Sequence, residues 1–262
     1  MRILSNAVRP VLLIVAAMLG GPARAQDDSS QFLGDRMPYR LFDTLPLERV
    51  VIDGAVLRVG FAPGKTKLSR QSLLGWVRRS ASAVARYYGR YPVADARILI
   101  VPVAGDVVPH GQAFNHRGAA IRIKVGVDAD EKALAEDWIM VHEMIHFALP
   151  KVDVRHNWLA EGLAVYVESI ARVQTGDLSE AQIWRDFTRA MPKGLPRSGD
   201  QGLDNTSAWG RTYWGGALFC LEADVELRRR TDNRIGLQQA LRGLVAKTNF
   251  ESFWPARQAL AT

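Results

Sequence analysis

Two kinds of apolar spacing divide the chain. Up to about residue 128, apart from one helical stretch, apolar residues alternate with polar ones or gather in short runs bounded by Gly and Pro, as strands do; beyond it they recur at helical spacing. In the first part, Arg49–Gly60 is rich in β-branched residues around Asp53-Gly54, and an Asp-Gly between apolar runs predicts a hairpin. After Pro63-Gly64, Leu73, Leu74, Val77, Ala81, Val84 and Tyr88 predict a helix over Ser69–Tyr88. Arg97–Val103 predicts a buried strand. Ala119–Val125 alternates apolar and basic residues, which predicts a half-exposed edge strand. In the second part, Glu131–Leu149 predicts one long apolar helix, stopped before Pro150. Further helices are predicted over Asn157–Val173, with Asn157 as N-cap, and over Leu178–Met191, Thr206–Arg230 and Arg234–Lys247. Pro192–Asp204 reads as a loop and residues 26–46, polar and Pro-containing, as an exposed N-terminal arm. Strands followed by helices argue for an α+β fold: a sheet part over 47–128 and a helical part over 129–262.

The first 25 residues stand apart. Arg2 and Arg9 precede the apolar run Val11–Gly20, and Ala23-Arg24-Ala25 supplies small residues at the two positions a cleavage site requires. This predicts a signal peptide cleaved after Ala25 and a secreted or periplasmic mature protein. The run is too short for a bilayer core of about 30 Å, which takes about 20 residues, and no later stretch is long enough, so no stable membrane insertion is expected after cleavage. The segment also changes the charge. It holds Arg2, Arg9 and Arg24 and no acid, so 31 of the 34 basic residues remain against 27 acids, and the net charge falls from +7 to +4. The remaining basic residues are scattered, and Arg228-Arg229-Arg230 ends a predicted helix, where cations suit the dipole. With no basic stripe carrying interleaved aromatics, nucleic acid is not an expected partner. Cys220, the one cysteine, sits in an apolar segment and reads as a small buried hydrophobe.

The chemistry concentrates at His142-Glu143-Met144-Ile145-His146. On a helix, positions i and i+4 share a face, so both imidazoles can point at one ion, and zinc takes neutral imidazole nitrogens. Glu143, about 100° round the helix, can reach a water on that metal and act as general base. Trp138, Ile139, Met140, Val141, Ile145 and Phe147 make the surroundings apolar, where two histidines and a carboxylate would be costly without a partner. A third ligand is offered by Glu161. The fifteen residues after His146 let the chain leave at Pro150, turn, and return a second helix alongside the first. Glu168, two turns further on the same face, can accept a hydrogen bond from the far nitrogen of a ligand imidazole. His156 is a poorer third ligand. In the extended motif with a third histidine, Leu149 would stand at the glycine position and Val152 at the ligand position.

The segments His142-Glu-x-x-His146 and Trp158-Leu-Ala-Glu161-Gly-Leu-Ala-Val-Tyr-Val-Glu168 resemble those of the gluzincin zinc metallopeptidases, in particular their aminopeptidase families. The resemblance covers about residues 110–246. It implies a thermolysin-like zincin core: a small mixed sheet with an edge strand over the cleft, then a mostly helical lobe. It implies one zinc per chain with Glu161 as third ligand, and cleavage of a peptide or protein substrate. Tyr213-Trp-Gly-Gly-Ala217 resembles the segment in which those enzymes carry a transition-state tyrosine, which implies that role for Tyr213. Gln112-Ala113-Phe114-Asn115 resembles the cleft-lining edge strand, which implies peptide binding by strand addition at Ala113 and Phe114. The aminopeptidases carry there a glutamate that anchors a free α-amine, and this chain has none. Two other readings use the same residues: a zincin-fold binding protein, and a metalloamidase acting on a non-peptide cell-wall amide.

Overall fold

A computed structural model describes residues 36–247; the expected signal peptide and the last fifteen residues lie outside that range. Strands β1 (Leu47–Ile52) and β2 (Ala55–Phe61) form the expected hairpin. Asp53 and Gly54, with φ of 47° and 84°, both sit in the left-handed region that a two-residue turn of this kind requires. Helix α1 (Arg70–Tyr88) starts where the Ser69 side chain accepts the Ser72 amide and ends at Gly89, which adopts the left-handed conformation. It carries the chain over to β3 (Asp95–Val103), parallel to β2; β4 (His110–Phe114) and β5 (Ala120–Gly126) complete a mixed sheet in the order β1-β2-β3-β5-β4.

The edge strands are therefore β1 and β4, and β5, expected at the edge, is interior. Its alternating basic residues misled because the second face of the sheet is also covered. Met37, Tyr39 and Phe42, from the arm expected to be exposed, are buried against Leu99, Val101 and Ala120. Arg122 on that face is only 2% exposed. Its guanidinium donates to Arg36 O and Gln112 Oε1 and stands 5.5 Å from the Phe114 ring centroid. A charge pattern reads as solvent-facing only when nothing beyond the strand satisfies the charge.

The expected long helix over Glu131–Leu149 is broken. It runs as α2 (Glu131–Glu136), α3 (Ile139–Ile145) and a 3-10 turn over His146–Ala148. Asp137 makes the break. It adopts an extended backbone (φ −64°, ψ 134°), and its carboxylate accepts from the amides of Ile139 and Met140 and from the Trp76 indole at 3.0–3.1 Å. Burial pushes its pKa up to about 6 against the pull of those three donors. Asp137→Ala is expected to lower unfolding stability by about 2–3 kcal/mol, since two amides lose their cap and the buried Trp76 N–H loses its acceptor. Urea denaturation checks this, and a loss below about 0.5 kcal/mol would mean that packing alone sets the break.

Helix α4 (Asn157–Thr175) has His156, not Asn157, as N-cap, because a 3-10 turn over Val154–His156, capped by Asp153, leads into it. α5 (Glu180–Ala190) opens on a Ser179/Gln182 capping box. The helix expected from Thr206 opens later, as a π-helical turn over Arg211–Gly215 that runs into α6 (Gly216–Arg230), and α7 is Leu237–Lys247. One apolar core runs from Val50 to Val245 and joins the inner face of the sheet to these helices. No helix among the described residues is long and apolar enough to cross a membrane.

Candidate metal centre

α3 lies between the edge strand β4 and α4, and its sequence aims His142 and Glu143 in different directions. The His142 and His146 rings stand 5.0 Å apart, nearly perpendicular, both turned toward α4. Glu161 meets them there: its Oε2 lies 3.1 Å from His142 Nε2 and 3.7 Å from His146 Nε2. The candidate ligand atoms of the three residues all lie within 4.8 Å of one another. Two imidazole nitrogens and one carboxylate oxygen, converging on one point, fit the three-ligand donor set of a catalytic zinc site.

The local electrostatics favour the protonation states a metal needs at His146 and Glu161, and oppose it at His142. Burial, with the neighbouring His142, lowers His146 to about 4, so its imidazole is neutral. Burial opposes ionisation of Glu161, but the hydrogen bond from His142 and the charges of both histidines outweigh it and hold the carboxyl below its usual range. At His142 burial likewise disfavours the charged form, yet Glu161, Glu143 and Glu168 together raise its pKa. A metal held there would need the neutral imidazole and would displace that proton.

Glu143 turns away from these ligands toward β4. Its carboxylate accepts the Ala113 amide, and burial pushes its pKa up to about 7. The strand reaches it through Gly111, where an added Cβ would come within 2.6 Å of Ile139 Cγ2 and 2.8 Å of Glu143 Cγ. Sequence reasoning missed Gly111; only its close approach to α3 gives it a role. Ala113 and Phe114 both line a cleft of about 680 Å³ that also contains Glu143, His146, Glu161 and Tyr213.

Tyr213 sits in the π-helical turn. Its hydroxyl donates to Glu161, and its ring stacks on His142 (6.1 Å, 13°) and on Trp209 (5.5 Å, 23°). Burial and the Glu161 charge raise its pKa, so it keeps its proton. Arg211 holds the turn in place by donating to Asp200 Oδ2 at 2.8 Å and to Gly194 O at 2.6 Å. Arg211 and Asp200 drew no notice in the sequence, since a π-turn has no short sequence signature. Tyr213→Phe is expected to lower turnover about 10²-fold with metal content unchanged. A kinetic and metal assay on one preparation checks both; undiminished turnover would make Tyr213 only a wall of the cleft.

Glu168 does not make the expected bond to a ligand imidazole. Its oxygens accept from Arg172 at 2.8 Å and Ser169 at 2.9 Å, while His142 Nδ1 is buried without a hydrogen-bond partner. The i,i+4 partner Arg172 competes for Glu168, which acts on His142 through its charge. His156 lies outside the cluster: its Nδ1 pairs with Asp204 at 2.7 Å, and the Trp158 indole donates to the same oxygen. Cys220 is buried and its thiol is pushed up to about 12, which removes it as a nucleophile.

The fold is shared with M1 zinc metallopeptidases. An aminopeptidase N family protein from Idiomarina loihiensis superposes with a TM-score of 0.58 at 12% identity, over 79% of this chain and 41% of that one. An M1 zinc metallopeptidase from Deinococcus radiodurans, bound to a Tyr-Ser-Ala substrate, gives 0.52 at 16% identity, over 82% and 47%. A two-domain M1 zinc metallopeptidase bound to L-arginine gives 0.53 at 16%, over 79% and 45%. The chain thus spans less than half the length of these proteins, and at such identities the likeness is one of fold: α+β, with a small mixed sheet and a helical portion. No family model and no curated protein matches the sequence.

Proposed function

We propose that this chain is a zinc-dependent peptide hydrolase of gluzincin type, with His142, His146 and Glu161 holding one zinc ion. The observation that carries the reading is the convergence of these three donors within 4.8 Å, beside a buried carboxylate they do not use, Glu143. Zinc bound there would polarise a carbonyl and make water a nucleophile near neutral pH. Glu143, poised near pH 7, takes the proton of the attacking water and passes it to the leaving nitrogen. Tyr213, protonated and facing the cleft, donates to the carbonyl oxygen as negative charge develops on it. The free edge of β4 lines the cleft with Gly111 and Ala113, whose backbone can pair with an extended peptide. The signal-peptide pattern of residues 1–25 supports secretion or periplasmic delivery.

The test is the metal content of residues 26–262 beside the Glu161→Ala variant. About one zinc per chain is expected in the first and a loss of most of it in the second, with chelator-sensitive cleavage of peptides only by the first. A folded wild type that takes up no zinc would overturn the reading.

A further inference from the structure

Past the end of β4, the N-terminal arm and the β4–β5 turn line a second hollow with a one-sided charge. Arg36 and Arg40 from the arm, and His116 and Arg117 from the β4–β5 turn, line a pocket of about 620 Å³ together with Tyr39. No carboxylate lines it among the described residues. All four basic side chains are exposed, and none of the three arginines makes an ion pair among the described residues. Elsewhere some arginines are ion-paired, such as Arg58 with Asp95 and Arg229 with Glu226, and others, such as Arg185 and Arg189, are exposed with no ion pair among the described residues; Arg36, Arg40 and Arg117 differ in sharing one hollow. Three guanidinium groups gathered round one hollow repel one another unless an anion joins them.

The pocket adjoins the cleft through the backbone. Asn115 lines the cleft and His116, the next residue, lines the pocket. His116 follows Ala113, whose amide touches Glu143, by three residues, two of them past the end of β4 at Phe114. A peptide paired with β4 and continuing past its end covers that stretch in about three residues. The cleft itself has little for a cation. Of its carboxylates, Glu143 and Glu161 belong to the metal centre and Asp153 is held by the Arg155 amide, while Lys151 adds a positive charge to the wall.

We propose that the Arg36/Arg40/Arg117 pocket is a subsite for an acidic side chain of the substrate, about three residues from the bond cleaved, so that the cleft selects acidic peptides. The inference deepens the peptidase reading and rests on it for the position of the scissile bond.

The experiment uses the zinc-loaded mature protein and two fluorescein-labelled ten-residue probes, one of alternating Glu and Ala and one of alternating Lys and Ala, read by anisotropy. Wild type is expected to bind the acidic probe more tightly than the basic one. Arg40→Ala/Arg117→Ala is expected to weaken acidic binding about fivefold or more, whereas Arg185→Ala/Arg189→Ala, which removes the same charge from exposed positions on α5, changes it less than about twofold. No preference for the acidic probe, or equal weakening by both variants, would overturn the subsite. Cleavage of the same probes separates the two readings. Pocket-dependent binding without cleavage of any peptide sinks the peptidase reading and leaves the pocket. Cleavage indifferent to substrate charge and to the pocket variant does the reverse.

Discussion

Glu143→Gln is expected to leave the protein folded and able to hold zinc while slowing peptide cleavage by about 10²–10⁴-fold, the usual range for losing a general base. The substitution is nearly isosteric, and the amide oxygen can still accept the Ala113 N–H that now reaches the carboxylate. What it loses is the capacity to take a proton. Since Glu143 lies outside the ligand trio, metal content should not change. Turnover within about threefold of wild type, at equal zinc content, would remove Glu143 from the mechanism.

The same variant makes a prediction about stability in the metal-free protein. Burial raises Glu143 from 4.5 to about 7, so ionising it is harder in the folded chain than in the unfolded one. The wild-type carboxyl therefore costs nothing below pH 4.5, and its cost grows as pH rises toward 7. Glutamine carries no such dependence. Thermal unfolding of the two metal-free proteins should diverge between pH 5 and pH 8, with the variant the more stable at the upper end. Parallel melting curves across that range would show that the carboxylate is better solvated than its burial implies.

The second large effect is expected from Gly162→Ala. α4 and α6 cross with their backbones in contact. An added Cβ on Gly162 would lie 2.2 Å from the Gly216 carbonyl carbon, and one on Gly216 would lie 2.1 Å from Trp158 O. These neighbours are backbone atoms, with no flexible end to swing aside, so the helices must separate. Overpacking of this kind costs about 1–3 kcal/mol. The site is affected too, because the crossing adjoins Glu161 on one helix and lies three residues after Tyr213 on the other. Separating the helices pulls the Tyr213 hydroxyl off Glu161, and a displacement of about 1 Å can cost about 10²-fold in rate. Gly243→Ala provides the control. Nothing lies within 4 Å of an added Cβ there, and removing a helix-interior glycine should stabilise by about 0.5–1 kcal/mol. If Gly162→Ala behaved like Gly243→Ala in melting and turnover, the crossing would not set the geometry of the site.

Features under short-range geometric control were legible along the chain. Asp53-Gly54 specified the turn of the β1–β2 hairpin, because its two residues tolerate positive φ. The four-residue spacing of His142 and His146 put two imidazoles on one face, and Pro150 forced the reversal that brings Glu161 back to them. The remaining features depended on long-range packing. Whether Arg122 faces water depended on an arm eighty residues upstream, which covers the sheet and brings the Arg36 carbonyl to its guanidinium. Whether Glu131–Leu149 stayed one helix depended on Trp76 lying close enough for Asp137 to cap a new helix while accepting its indole. Glu168 had the right face but found Arg172 first. Tyr213 reached Glu161 because a π-turn and a Gly162–Gly216 contact bring two helices closer than any side chain would allow. Periodicity dictates which way a residue points along its own element; what it meets there is set by the packing of distant elements, which local spacing does not encode.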